Sequence, residues 1–122
     1  MDRETAKIVR KFIRRVMAHY IIERVILFGS RARGDHLKMS DFDFIIVSPD
    51  FERVHFTKRM ASIYKYWDEH YDIEPLCYTV EEFEEKRKEI GIVSQAVKEG
   101  IEIELIHGSK ESNSSIVDDL IL

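Results

Sequence analysis

The stretch Phe28-Gly-Ser-Arg-Ala-Arg-Gly-Asp-His-Leu-Lys-Met-Ser-Asp-Phe-Asp43 connects two short apolar segments of a 122-residue chain. The segment before it, Arg24–Phe28, is rich in β-branched and other apolar residues and stops at a glycine. The segment after it, residues 41–47, ends at Ser48-Pro49. Length, composition and end signals predict two buried strands. The polar stretch therefore lies at strand ends, where α/β proteins tend to bind ligands.

Asp41 and Asp43 are the paired carboxylates of this stretch. On a strand, residues two apart point to the same side, with Cα atoms about 6.6 Å apart. Two carboxylates this close repel each other, and the apolar neighbours Phe42 and residues 44–47 increase the cost of their charge. A divalent cation removes that cost, and Mg²⁺ prefers one or two protein carboxylates together with water and phosphate oxygens. The pair is therefore a candidate magnesium site.

Gly29 and Ser30 form a candidate phosphate site at the end of the preceding strand. A glycine lets backbone N–H groups approach a phosphate without a Cβ in the way, and the Ser30 hydroxyl adds a donor. A helix that starts near Ser30 or Arg31 would direct its N-terminus at the same anion. A phosphate site beside a carboxylate pair is the equipment for phosphoryl or nucleotidyl transfer.

Each feature also has a common structural explanation. A lone Gly-Ser is usually a turn, and a lone Asp-x-Asp is usually a solvated loop end. Arg31 and Arg33 are residues of a type that is more often an ion-pair partner than a ligand. The combination of these features on successive strands with apolar flanks favours the functional interpretation.

The rest of the chain predicts an α/β (α+β) domain. An apolar stripe predicts a helix over residues 3–20, whose other face is basic. Pro75, in a strand predicted over residues 72–78, indicates an edge position or a bulge. Thr79 and Glu82 form a capping-box pattern that opens a helix. The other predicted elements are a helix over residues 51–69, a short helix over 92–97 that Gly100 ends at its C′ position, and an alternating strand over 101–105.

Composition sets the class of protein. We predict one domain over residues 1–106 and a flexible C-terminal tail over residues 107–122. The single Cys77 excludes an internal disulfide and fits a cytoplasmic protein. No apolar run approaches the roughly 20 residues of a membrane span, so we expect no membrane association. The net charge of −4 argues against general binding to nucleic acid.

The joint pattern resembles the nucleotidyltransferases of the DNA polymerase β superfamily. Their hallmark is Gly-Ser, ten residues and Asp-x-Asp, which Gly29-Ser30 and Asp41-Phe-Asp43 match without a gap. The longer form, Gly-Ser-x-Ala-Arg-Gly followed by Ser-Asp-x-Asp, is similar to the minimal nucleotidyltransferases of the antitoxin branch. The resemblance covers about residues 5–105. It implies the polymerase β-like nucleotidyltransferase fold, a small mixed sheet with helices packed on it.

The resemblance also implies roles for individual residues. Asp41 and Asp43 would be catalytic and would hold Mg²⁺, while Gly29, Ser30 and Arg31 would bind ATP. The family carries a third catalytic carboxylate on a later strand, which completes a site for two Mg²⁺ ions. Asp72 and Glu74 both have the parity for it. Glu74 is preferred because the family's acidic residue lies five positions before a Thr that opens the next helix, although glutamate replaces the commoner aspartate.

The implied activity is Mg²⁺-dependent transfer of AMP from ATP to a hydroxyl acceptor. Stand-alone members of the branch pair with a helical HEPN protein as antitoxin with toxin, so a HEPN-type toxin is the expected partner and acceptor. Two alternatives stay open: a non-catalytic antitoxin that acts by contact, and a small-molecule nucleotidyltransferase that works with a separate substrate-binding subunit. A homo-oligomer is compatible with each.

Overall fold

The computed structural model describes residues 1–37 and 39–106, so the predicted tail, residues 107–122, lies outside the described residues. None of the helices in these ranges is long and apolar enough to cross a membrane. In chain order the elements are helix α1 (Arg3–Met17), strand β1 (Arg24–Phe28), helix α2 (Ser30–Arg33), strand β2 (Phe42–Val47), a 3-10 turn (Pro49–Phe51), helix α3 (Phe56–Tyr64), strand β3 (Ile73–Tyr78), helix α4 (Val80–Lys86), helix α5 (Ile92–Glu99) and strand β4 (Ile101–Glu102).

The strands form one mixed sheet in the order β3-β2-β1-β4. Strand β1 is antiparallel to both β2 and β4, whereas β2 and β3 are parallel. The predicted small mixed sheet with helices is therefore confirmed. The position of β3 at the edge also agrees with Pro75, because a proline has no N–H to contribute to a strand pair.

The last strand is shorter than predicted. The alternation over residues 101–105 predicted a full strand, but β4 contains only Ile101 and Glu102, which pair with Leu27 and Ile26. One further bond runs from the Ile103 N–H to the Val25 carbonyl, 2.8 Å away. Strand β1 continues to Arg24, which the same register sets opposite Glu104, but the regular pairing of β4 ends at Glu102.

Two helices also differ from their predicted bounds. Helix α1 ends at Met17, and a closing turn follows in which the His19 N–H bonds to the Val16 carbonyl. The helix predicted over residues 51–69 begins only at Phe56, because His55 caps it by accepting a bond from the Thr57 N–H. The capping box of α4 is confirmed, with both Thr79–Glu82 bonds present.

The core lies on both faces of the sheet. On one face, α1 and α3 cover β1 and β2, and the Phe12 ring packs 5.2 Å from that of Phe44 and 5.1 Å from that of Trp67. On the other face, Phe83 of α4 and Val93 of α5 cover residues that alternate with those of the first cluster. Strand β2 is consequently buried on both faces from Phe44 onwards, and only its beginning is accessible.

Gly100 ends α5 for a reason that the sequence does not reveal. Its φ of −81° is ordinary extended backbone, not the left-handed conformation expected of a C′ glycine. A Cβ at this position would lie 2.6 Å from the Ala96 carbonyl oxygen and 2.8 Å from that of Leu27. The glycine is needed because α5 and β1 approach each other closely, which brings the chain directly into β4.

Candidate functional site

Three strand ends meet at one edge of the sheet. Strand β1 ends at Phe28, which is paired with Asp43 near the start of the antiparallel strand β2. Gly29 and Ser30 follow β1 and enter α2. On the other side of β2, the parallel strand β3 pairs Glu74 with Asp43. The predicted phosphate site and the predicted carboxylates are therefore neighbours in space.

Asp41, Asp43 and Glu74 form the carboxylate edge, at the end of the sheet where β2 and β3 begin, and Asp43 is its electrostatic centre. Burial raises the pKa of its carboxyl, and the carboxylates of Glu74 and Asp41 raise it further, whereas the Arg33 guanidinium lowers it. Asp41 precedes the strand and is exposed, as is Glu74, while Asp43 is half-buried between them. Two neighbouring negative charges and partial burial make an ionised Asp43 unfavourable in the metal-free protein.

The register distinguishes between the two candidates for the third carboxylate. Glu74 is the residue of β3 that lies directly beside Asp43, and neighbouring strands are about 4.8 Å apart. Asp72 lies before β3, where its backbone carbonyl accepts a bond of 2.9 Å from the Phe42 N–H. The structure therefore brings Glu74 into the carboxylate cluster through its side chain, and Asp72 contributes its backbone to the pairing of the strands.

The donor set suits Mg²⁺, although it is not a ready-made cage. Within residues 1–37 and 39–106, no three His, Cys, Asp or Glu side chains are grouped closely enough to hold a metal ion as they stand. Mg²⁺ does not require such a group, because one or two carboxylates suffice when water and substrate phosphates complete its coordination. The repulsion on Asp43 is what a bound cation would relieve, so Asp41, Asp43 and Glu74 fit the predicted ion.

Gly29 forms the opposite wall of the site. Its φ of 78° and ψ of −160° belong to a region that is essentially restricted to glycine. A Cβ built on Gly29 would overlap the Oδ2 atom of Asp43 and lie 3.3 Å from its Cγ atom. The absent side chain therefore leaves room for the Asp43 carboxylate beside the backbone that follows β1. The hydrogen bonds of α2 begin with the Ala32 N–H, so the Ser30 N–H is one of the first-turn donors that helices leave for a ligand.

The side chain of Arg31, which was predicted to bind the nucleotide, does not lie with the predicted carboxylates. This side chain is only 2% exposed and lies over the ring of Phe42, with its Cζ atom 4.3 Å from the ring centroid. Because side chains alternate along β2, Phe42 points to the face opposite Asp43. The Arg31 guanidinium therefore lies behind the carboxylates, on the side of α1.

Arg33 is the cation that does act on the carboxylate edge. Its side chain is half-exposed, and its Nε atom lies 3.1 Å from the Asp35 Oδ2 atom. This ion pair is the common structural role of an arginine at such a position. The positive charge of Arg33 nevertheless lowers the pKa of Asp43. An exposed pair of this kind is worth little in stability, so its arginine can exchange partners at low cost. The signal in the sequence is the longer motif Gly-Ser-x-Ala-Arg-Gly, in which Arg33 is the matched arginine and Arg31 stands at the variable position.

The chain is similar to known proteins at the level of the family and of the fold. Residues 8–106 match the family model of the nucleotidyltransferase domain. Over 51 residues the chain is 41% identical to a Methanocaldococcus jannaschii protein named “Putative protein adenylyltransferase”, a match that covers 39% of this chain and 51% of that protein. The chain thus spans about half the length of this curated relative.

A solved structure shares the fold. It is named as that of a “putative nucleotidyltransferase” from Sulfolobus solfataricus, and it aligns with a TM-score of 0.59 over 81% of this chain and 78% of the other. The two sequences are 22% identical, so this similarity concerns the fold alone.

We expect Gly29→Ala to lose Mg·ATP binding and Gly34→Ala to retain most of it. Both glycines have positive φ, 78° and 86°, so alanine strains the backbone by about 1–3 kcal/mol at either position. Only at Gly29 does the new Cβ meet the Asp43 carboxylate, which must move away, whereas nothing lies within 4 Å at Gly34. Calorimetric titration of both folded variants with Mg·ATP makes the comparison. Similar losses in the two variants would contradict a site formed by Gly29 and Asp43.

A second prediction concerns pH. Because the pKa of Asp43 is raised in the folded state, the folded protein binds this proton more tightly than the unfolded chain does. The free energy of unfolding therefore falls as the pH rises from near 3.8, the ordinary value, through the folded-state pKa. In EDTA, Asp43→Asn should be more stable than wild type at neutral pH, and this advantage should shrink on acidification.

Chemical denaturation between neutral pH and about pH 4 measures this difference. Asp41→Asn provides the control, because Asp41 is exposed and its neutralisation should change stability less. Added Mg²⁺ should stabilise wild type and leave Asp43→Asn nearly unchanged. If the two proteins differ equally at every pH, the electrostatic account of Asp43 is wrong.

Proposed function

The chain belongs to the nucleotidyltransferase domain family, and on this premise we propose that it transfers AMP from ATP, with Mg²⁺, to a hydroxyl group of a protein partner. The observation that carries the proposal is the pairing of Asp43 with Phe28 on one side and with Glu74 on the other. This pairing places the carboxylates of Asp41, Asp43 and Glu74 beside Gly29, where the missing side chain lets a phosphate approach the backbone. Nucleotidyl transfer needs little more than such positioning and charge balance.

The proposed roles follow from position and charge. Asp41 and Asp43 would hold a Mg²⁺ ion on the triphosphate, and Glu74 would share a second ion with them. Bound Mg²⁺ supplies charge neutralisation and stabilises the attacking and leaving oxygens. The Ser30 hydroxyl and the backbone after Gly29 would donate to the phosphates, and Arg33 would add positive charge on the same side. Arg31 has no direct part, because its side chain is buried behind β2.

The reaction transfers one adenylyl group. The acceptor oxygen forms a bond to the α-phosphorus while the bond from that phosphorus to the bridging oxygen of pyrophosphate breaks. Pyrophosphate leaves with the electron pair, and the hydroxyl proton passes to the exposed Glu74 carboxylate or to water. Glu74 is suited to receive it because it lies on the edge strand, on the accessible side of the site.

Two observations support a protein acceptor. The name of the M. jannaschii relative refers to protein adenylylation, and the matched segment covers 39% of this chain. Asp41 and Glu74, which flank Asp43, are both exposed, so a large partner can reach the cluster without a cleft having to open. The proposed partner, in line with the resemblance to the antitoxin branch, is a HEPN-type toxin modified on a tyrosine hydroxyl. A macromolecule brings its own binding surface, which suits so small a domain.

We predict that the partner gains one AMP when it is co-expressed with the wild-type chain and none with the Asp41→Asn/Asp43→Asn double variant. The double variant removes both proposed ligands of the first Mg²⁺ ion and should leave the fold intact, since it also removes repulsion. Intact-mass spectrometry of the purified partner provides the measurement. An unmodified partner that the double variant still neutralises would instead support an antitoxin that acts by contact. Transfer only to a small molecule would support the third interpretation.

The third carboxylate can be tested in the same assay. Glu74→Gln should lower the rate of transfer by at least about a hundredfold, because the site loses a charge that is needed in the transition state. Asp72→Asn should retain activity within about threefold, since Asp72 acts through its backbone carbonyl. Both side chains are exposed, so neither change should affect stability much. Loss of activity confined to the Asp72 variant would assign the third carboxylate to Asp72 and contradict the role proposed for Glu74.

A further inference from the structure

Arg31 is one of two arginines that the described residues bury almost completely. Arg31 is 2% exposed and Arg59 is 6% exposed. A buried cation is expensive unless its donors are used and its charge is compensated. Arg59 has the Glu82 carboxylate at 2.6 Å and joins α3 to α4, at a distance from the carboxylate edge. Arg31 belongs to α2 and reaches behind the site, where it contacts other segments of the chain.

The Arg31 guanidinium contacts the segments on which the site is built. Its Nε and Nη2 atoms both donate to the Ser40 carbonyl, at 3.3 and 3.2 Å, and Ser40 directly precedes Asp41. One face of its plane lies 4.3 Å from the ring centroid of Phe42, the residue between Asp41 and Asp43. The Tyr71 ring, which leads into β3, is 4.6 Å away. Stacking of this kind compensates the charge of a buried guanidinium.

This cluster is anchored to the beginning of α1. Arg31 Nη1 donates to the Thr5 hydroxyl at 3.2 Å, and the fully buried Thr5 in turn donates to the Asp2 carboxylate at 3.1 Å. The Tyr71 hydroxyl donates to Glu4 at 3.1 Å. The contacts therefore connect the turn after β1, the entry to β2 and the entry to β3 with a single helix terminus.

From this geometry we infer that Arg31 is a positioning residue for the metal site: by holding the Ser40 carbonyl with two N–H groups and packing on Phe42, it fixes the direction in which Asp41 and Asp43 leave the backbone. The inference rests on the proposed function. Asp41 stands outside the regular strand, so the pairing of β2 alone does not fix it. Only arginine supplies a planar fork that can grip one carbonyl with two donors and stack on an aromatic ring.

The test compares Arg31→Met and Arg31→Lys with Arg59→Met, which removes an arginine of similar burial remote from the carboxylates. In metal-free protein, amide hydrogen exchange is followed at Ser40 and Phe42, whose N–H groups bond to Leu37 and Asp72. Arg31→Met should speed exchange at both amides at least tenfold beyond the change in global unfolding. Arg31→Lys should show a smaller effect, because lysine keeps the charge but not the fork. Arg59→Met should leave both amides within twofold of wild type after the same correction.

Binding of Mg·ATP is then titrated calorimetrically under conditions in which every variant is folded. Arg31→Met should raise the Kd at least tenfold and Arg59→Met less than twofold. Unchanged exchange at Ser40 and Phe42 in Arg31→Met, or equal weakening of binding by Arg59→Met, overturns the inference. If Arg31→Met does not fold, a wild-type-like Kd and exchange pattern in Arg31→Lys overturns it. A wild-type chain that does not bind Mg·ATP overturns the proposed function instead. The exchange comparison still shows whether Arg31 holds the backbone at Ser40 and Phe42.

Discussion

The pairing of β2 on both of its sides is the constraint on which the site depends. The antiparallel register sets Phe28 opposite Asp43, and the parallel register sets Glu74 beside it. A slip by one residue would turn the carboxylate of Asp43 to the other face of the sheet and remove Phe42 and Phe44 from their ring contacts with Trp67. Each of these phenylalanines is fully buried, which is worth about 1.5–3 kcal/mol per side chain. The apolar residues of β2 therefore hold the polar ones in place.

At the accessible end of β2, one face carries negative charge and the other face is packed. The face that carries Asp41 and Asp43 gathers negative charge, which is unfavourable until a cation and a triphosphate are bound. The face that carries Phe42 holds a buried cation between aromatic rings. The favourable packing of the second face can offset the unfavourable repulsion on the first. Local conflicts of this kind are tolerated at functional sites when their surroundings compensate for them.

Much of the fold and the site could be predicted from the sequence, because those features are local. Length, β-branching and the glycine stop predicted the bounds of β1, and the position of Gly-Ser and Asp-x-Asp at the ends of successive strands predicted that Gly29 and the aspartates lie together. The features that could not be predicted depend on distant partners. The direction of the Arg31 side chain is set by Phe42 and Tyr71. Gly100 is required by the proximity of β1, which no property of its neighbours in sequence reveals.

Pro75 has a consequence for association with other chains. It lies in β3, at the outer edge of the sheet and one residue after Glu74. An exposed strand edge invites another chain to extend the sheet, and a proline interrupts the row of N–H groups that such an extension needs. A polypeptide that approached Glu74 by extending the sheet would find no backbone N–H at the next residue, Pro75. Strand β3 thus discourages strand-to-strand aggregation, while the Glu74 carboxylate stays exposed. A partner recognised there would be held by its side chains or its own folded surface rather than as an added strand.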